Sequence, residues 1–399
     1  MFILFYYFYN QINFIPVSKI PIKTLAYAGA PERLHNDAID ILKLKYGLEA
    51  EISSDRPRIL YFLTGGSEAE ATRLLEQKRF QLLLASGKTN ALASAMEVKA
   101  YSNQHGFRNV LLCLDDDKDK QLFEKYISVF SALDRLQGKR LGLIGEVSAW
   151  LVASSIDANI LKDKLDIELV RIPWEDAGDY RKFGADKDFM ECYHAGRQYN
   201  IEDAGRVNSM LKKVIEDHDL DAITVECFSL VQENSVTACL GLSFLNDLGI
   251  PAGCEGDLCS ITALMIAKEL TGELPWMANV VGINANEVLF AHCTAPTSML
   301  SEYHINTHFE TGKGTAVHGR IKARDVSVFR LNNTLDKVFY AHGEVVDGIY
   351  EKNACRTQLH VEFDEGIIRE LKNNPLGNHH LVLPGNHMEV LSILANILG

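Results

Sequence analysis

Residues 58–85 read RILYFLTGGSEAEATRLLEQKRFQLLLA. Arg58–Leu63 is apolar and β-prone, Thr64-Gly65-Gly66-Ser67 is a turn, and a Glu- and Ala-rich helical stretch follows. Gln81–Ala85 then repeats the apolar run. Continuous apolar runs separated by helices predict parallel strands covered on both faces. Outward from this unit, Lys23–Ala28 and Asn109–Leu114 are further strands, and Pro31–Lys45 has helical spacing. A second α/β set follows. Its strands are Arg140–Ile144, Leu165–Ile172 and Ile223–Cys227, with helices over Trp150–Leu161 and Asp203–His218. The polar stretch Pro173–Asn200 reads as a helical insertion or an active-site flap.

After Pro275 the pattern changes to short β-prone runs separated by Gly and Asn turns. They are Val288–Phe290, Thr315–Ile321, Val326–Leu331, Val338–Val346 and Leu359–Phe363, and a closing helix covers His387–Leu398. That spacing predicts an antiparallel sheet or barrel. The expected fold class is α/β: two α/β domains, residues 1–137 and 138–274, then a β-rich barrel-type domain, residues 275–399. The second would carry the acidic motifs.

The 399 residues carry 40 Lys and Arg against 53 Asp and Glu, a formal charge of −13. Such a chain lacks the basic footprint of a nucleic-acid binder. Eight scattered cysteines form no CxxC pair, which predicts reduced thiols in a cytoplasm rather than a Cys-rich zinc site. Met1–Pro16 (MFILFYYFYNQINFIP) is apolar, but its first basic residue, Lys19, comes after the run, and Asn10, Gln11 and Asn13 interrupt it. It reads as a strand-rich leader or an upstream extension rather than a signal or anchor, and no membrane partner is expected.

Metal-capable side chains are densest between Glu226 and His292, with a second group near His379. Glu226 ends an apolar strand, where open α/β sheets bind ligands. Glu233 is expected at or near the start of a helix over Ser235–Asp247, where the plainer role is interaction with the helix dipole. In IPAGCEGDLC (Ile250–Cys259), Glu255 and Asp257 suit oxygen ligation of a hard divalent cation, although Asp257 also suits the N-cap of a helix over Ser260–Leu270. His292, His379 and His380 add imidazoles, common ligands for Mn, Fe, Co or Zn. THFETGKG (Thr307–Gly314) offers His308, Glu310 and Lys313 either to a polar substrate or as a polar hairpin tip. Arg356 is either a substrate-facing cation or half of an ion pair. Cys293 beside His292 would need an oriented base to act as a nucleophile. No dinucleotide fingerprint, phosphate-binding loop or nucleophile elbow is present.

The run from Thr224 to Gly272 (TVECFSLVQENSVTACLGLSFLNDLGIPAGCEGDLCSITALMIAKELTG), VLFAHCTAP and PLGNHH together resemble the L-fucose isomerase and L-arabinose isomerase family. The resemblance is closest to the shorter fucose-isomerase-like branch, spans about Ala222–Pro296, and is local at Gly377–His380. GLIGEVSAWLVASSID adds weaker support. The resemblance implies two Rossmann-like domains and a barrel-type C-terminal domain. It implies a divalent cation, typically Mn²⁺, and aldose–ketose interconversion of a small-molecule sugar through a cis-enediol. It implies a homo-oligomer, a trimer or hexamer. By matched position it implies Glu233, Asp257 and His379 as metal ligands, with Glu233 or Asp257 as the base; Glu255 takes the place of Asp257 if the register follows the arabinose side, where His292 matches an additional histidine. It leaves Glu255, His292, His308, Arg356 and His380 for substrate or additional metal contacts. The chain ends at LANILG, where the family pattern leads one to expect a further strand. Two other readings share these residues: a non-catalytic sugar-binding or regulatory protein, and another metal-enediolate enzyme such as an epimerase or aldolase.

Overall fold

The apolar runs become strands of three sheets. The structure is a computed structural model that describes residues 19–52, 55–196 and 198–399; the apolar run Met1–Pro16 lies outside the described residues. The chain divides into two compact units, one ending at Arg135 and the other covering Leu136–Gly399.

The first unit holds five parallel strands: β1 (Ile20–Leu25), β2 (Ala50–Ile52), β3 (Ile59–Phe62), β4 (Gln81–Ala85) and β5 (Asn109–Cys113). Their order is β2-β1-β3-β4-β5. β3 and β4 are buried along their whole length, as continuous apolar runs require. Gln81 is the polar exception, and its amide is satisfied by the carbonyls of Pro57 and Leu74.

The second unit holds a parallel sheet and a barrel. The sheet has β6 (Arg140–Ile144), β7 (Glu168–Ile172), β8 (Ala222–Val225) and β9 (Ala252–Cys254), in the order β7-β6-β8-β9. The barrel strands are β10 (Trp276–Asn284), β11 (Glu287–His292), β12 (Leu300–Asn306), β13 (Ala316–Ile321), β14 (Asp325–Leu331), β15 (Val338–Val346), β16 (Thr357–Glu362) and β17 (His379–Pro384). Pairing of β11 with β16 closes the ring β11-β10-β17-β14-β15-β16, and the β12–β13 hairpin hangs from β16. Trp276, Val288, Phe290, Val328, Leu359 and Val382 fill its core. Thus α/β architecture with a C-terminal barrel is present as expected. Among the described residues no helix is long and apolar enough to cross a membrane.

Two local expectations fail for stated reasons. Trp150–Leu161 is not one helix; the helix begins at Ala158, capped by the Asp157 side chain. The Ser154 carbonyl instead accepts the amides of Leu258 and Cys259, so it is spent on another helix's start. Nor does a helix begin at Ser235. One helix covers Cys227–Asn234 and ends at Ser235 in the left-handed conformation (φ 59°), and the next begins at Cys239. Glu233 therefore sits in a last turn, not a first turn. The Thr307–Gly314 segment is indeed the tip of a hairpin, joining β12 to β13.

Candidate metal centre

β9 ends at Cys254, and the chain must then turn sharply into the helix Leu258–Thr271. It does so through two left-handed residues, Glu255 (φ 61°) and Gly256 (φ 67°). A Cβ on residue 256 would lie 2.4 Å from the Glu146 carbonyl oxygen, so only glycine fits this turn. A left-handed glutamate is unusual and costs about 1–2 kcal/mol, strain of the kind held at functional sites. Asp257 accepts the Ser260 amide at 2.7 Å and caps the helix.

The barrel brings up two imidazoles. His292 ends β11 and His379 begins β17, on the two sides of β10, where Asn279 is paired with both Ala291 and His379. Their ring centroids are 5.3 Å apart. One donor atom each from Glu255, His292 and His379 lies within 4.8 Å of the others, and His379 Nε2 is 3.7 Å from Glu255 Oε1. Donors about 2.1 Å from one ion stand at most about 4.2 Å apart, so a small contraction completes a three-ligand site.

Each of the three is held by a further partner. His379 Nδ1–H donates to Asp257 at 2.9 Å, which fixes the tautomer with the Nε2 lone pair free. That Nε2 is buried and has no hydrogen-bond partner among the described residues. His292 Nδ1 bonds the Thr294 hydroxyl at 2.9 Å. Trp150 Nε1–H donates to Glu255 Oε2 at 2.6 Å, leaving Oε1 for the centre. A carboxylate behind a ligating histidine is the usual means of orienting and strengthening that ligand. An orphaned buried nitrogen facing a carboxylate fits a divalent cation better than it fits an unfilled protein core.

Asp257 is fully buried, as is Arg330 at 1% exposure. Burial alone would raise the Asp257 pKa, but Arg330 and the His379 hydrogen bond hold its carboxyl well below the usual range. Arg330 donates to Asp257 (3.3 Å), Ser260 Oγ (3.2 Å) and the His379 carbonyl (2.6 Å) through Nη1, and to Ser154 Oγ (2.7 Å) through Nη2. A Cβ at Gly377 would fall 2.2 Å from Arg330 Nη2, so glycine there makes room for the guanidinium.

The sequence-derived candidates are therefore placed as follows. Glu255, His292 and His379 converge. Asp257 lies behind His379, its oxygens engaged by three partners. Glu233 is exposed, outside this group, on a cavity of about 490 Å³ shared with Trp174, Tyr180 and Arg181. His308 is buried, its Nδ1 on Thr311 Oγ1 (3.1 Å) and its ring against Phe228, which in turn edges onto Trp150. Partial desolvation pushes the Glu310 carboxyl up; His308 opposes the shift and Glu255 adds to it. Arg356 bonds the Thr307 carbonyl (2.9 Å) and hydroxyl (3.2 Å). His380 is turned to the opposite face from His379, between Phe290 and Phe339, with Nδ1 on the Asn378 carbonyl. Cys293 is buried among Cys239, Ala316 and Cys355. Arg330 and Trp150 were not singled out from sequence. A lone arginine inside the apolar run Val326–Leu331 is the signal that marks Arg330.

Burial pushes the His292 imidazole down to about 4, with His379 adding to the shift, and burial pushes His380 to about 3. Both pKa values lie below the unfolded value of about 6.5, so the unfolded chain takes up protons first and stability falls as pH drops from there. His292 alone accounts for about 2 kcal/mol lost by pH 5. In metal-free protein the urea midpoint is expected to be lower at pH 5 than at pH 7.5; an equal or higher midpoint would contradict these assignments.

No family model matches the chain. It is similar to the sulfoquinovose isomerases of Priestia aryabhattai and Priestia megaterium (strain ATCC 12872 / QMB1551). Each is 23% identical over 331 residues, covering 75% of this chain and 71% of the relative. The similarity supports a sugar isomerase family for this chain.

Proposed function

We propose that this chain is a metal-dependent aldose–ketose isomerase acting through a cis-enediol, with Glu255, His292 and His379 as the protein ligands of a divalent cation, Mn²⁺ first among the candidates. The observation that carries this reading is the convergence of those three side chains around the unpaired His379 Nε2. The similarity to sulfoquinovose isomerases supports the reaction class. Two imidazoles and one carboxylate suit first-row divalent ions. A cation held there would supply the Lewis acidity that polarises a sugar carbonyl and offsets the negative charge of an enediolate.

The chain's own residues do the rest. Asp257 fixes the His379 tautomer, Thr294 anchors the His292 ring, and Trp150 fixes Glu255. Asp257 is sealed and hydrogen-bonded, so it orients rather than removes a proton. We assign the proton carried between C2 and C1 to Glu310, whose raised proton affinity and placement on the Thr307–Gly314 hairpin tip, beside buried His308, suit a base and then an acid. Glu310→Gln is expected to lower kcat by about 10²–10⁴-fold while Mn²⁺ affinity stays within about threefold. An unchanged kcat would remove Glu310 from the chemistry.

The reaction is tested with metal-stripped protein, with and without Mn²⁺, in D₂O, against sulfoquinovose and a panel of neutral aldoses followed by NMR. The expected result is a ketose of equal mass, formed only with Mn²⁺, with solvent deuterium at the transferred carbon. An epimer, smaller fragments, or sugar binding without turnover or metal would overturn the isomerase reading.

A further inference from the structure

The barrel carries a second cavity, of about 460 Å³, whose wall contains none of Glu255, His292 and His379. It opens among the β12–β13 hairpin, the end of β15 and the start of β16. His304 and His318 face each other across the antiparallel strands, with ring centroids 4.2 Å apart. Tyr350 stacks on His318 at 5.0 Å and 12°. Two arginines, Arg320 and Arg356, share the wall.

The arginines differ. Arg320 has a carboxylate, Asp347, at 3.5 Å. Arg356 has none among the described residues: Nε and Nη2 are spent on Thr307, and the guanidinium lies over the Phe309 ring. His318 Nδ1 is buried without a hydrogen-bond partner among the described residues. Burial pushes the His318 imidazole down to about 4, with His304 and Arg356 adding to the shift. At neutral pH the wall therefore presents the uncharged His318 imidazole beside an unmatched fixed cation.

We propose that this cavity binds a tetrahedral oxyanion, the phosphate or sulfonate group of a small molecule, between Arg356 and the His304–His318 pair. With Nε and Nη2 on Thr307, the Arg356 guanidinium offers Nη1 for charge-assisted hydrogen bonds to such a group. The neutral His318 imidazole donates one N–H without adding a second buried charge. An imidazole pair alone would equally suit a transition metal, but Arg356 repels a cation and attracts an anion, which decides between the two. Two carboxylates also line the wall: Asp347, which is paired with Arg320, and Glu302, on β12 two residues before His304.

The test uses full-length, metal-loaded protein with ¹³C-labelled histidine rings, titrated with inorganic phosphate and, separately, with methanesulfonate, against sodium chloride at equal ionic strength. His318 and His304 resonances, assigned through His318→Gln and His304→Gln, are expected to shift saturably with a Kd of about 1 mM or tighter, and Arg356→Gln to weaken binding about tenfold or more. Arg320→Gln, which removes a paired guanidinium, is expected to weaken it less. Saturation by either anion supports the site, and the tighter of the two names its group. Shifts that chloride reproduces, no saturation by about 50 mM, or unchanged affinity in a folded Arg356→Gln protein would overturn it. So would a response of the two histidines to Ni²⁺ with none to either anion.

Discussion

Replacing Glu255 by glutamine is expected to lower kcat/KM by at least about 10³-fold at saturating Mn²⁺, the size of effect seen when a charged group central to transition-state stabilisation is lost. Gln keeps the length of the side chain and an oxygen for the Trp150 N–H, so the left-handed turn at residue 255 is retained. What is lost is the negative charge facing His379 Nε2. Mn²⁺ affinity should fall together with turnover. Glu233→Gln is the informative comparison, because Glu233 stands outside the converging group on a different cavity. If the proposed ligand set is correct, Glu233→Gln binds Mn²⁺ as the parent chain does. Normal turnover in Glu255→Gln, with loss of metal in Glu233→Gln, would exchange the two roles.

Asp257→Asn is expected to cost about 3–5 kcal/mol of unfolding free energy in the metal-free protein, because one partner of a buried ion pair is removed and the other stays. Arg330 is 1% exposed, and its remaining partners are a carbonyl and two hydroxyls. The same substitution removes the carboxylate behind His379, which should weaken Mn²⁺ binding about 10–100-fold. Stability and metal affinity therefore fall together, whereas Glu255→Gln moves metal affinity alone. Pairing Asp257→Asn with Arg330→Met should recover much of the lost stability, since no uncompensated charge remains, without restoring metal affinity. A loss below about 1 kcal/mol in the single variant, by urea unfolding, would contradict the ion-pair account.

The strands were legible because each is a compact apolar run bounded by turn residues. Arg140–Ile144 and Val338–Val346 have in the structure the bounds that their patterns predict. The β-run after PLGNHH was legible but the start of β17 at His379 was not, because HHLVLP opens with two histidines, and the helix Glu365–Asn373 was missed because its polar face dominates a short segment. Asp257 was legible as either ligand or cap; the structure shows it as a cap that also holds a histidine. The convergence of Glu255, His292 and His379 was not legible, because it depends on where β9, β11 and β17 end in space. Glu233 was placed at a helix start because the apolar spacing after Ser235 suggests one continuous helix. The break at Ser235–Ala238 depends on backbone conformation, which periodicity does not encode.

Whether Glu255, His292 and His379 hold a divalent cation is decided by Mn²⁺ titration of metal-stripped protein, read by electron paramagnetic resonance. One tightly bound Mn²⁺ per chain is expected in the parent protein. That ion should be lost in His379→Gln and in Glu255→Gln, with both variants still folded. Full Mn²⁺ occupancy in both variants, or no bound Mn²⁺ in the parent chain under conditions where it turns over sugar, would contradict this ligand set.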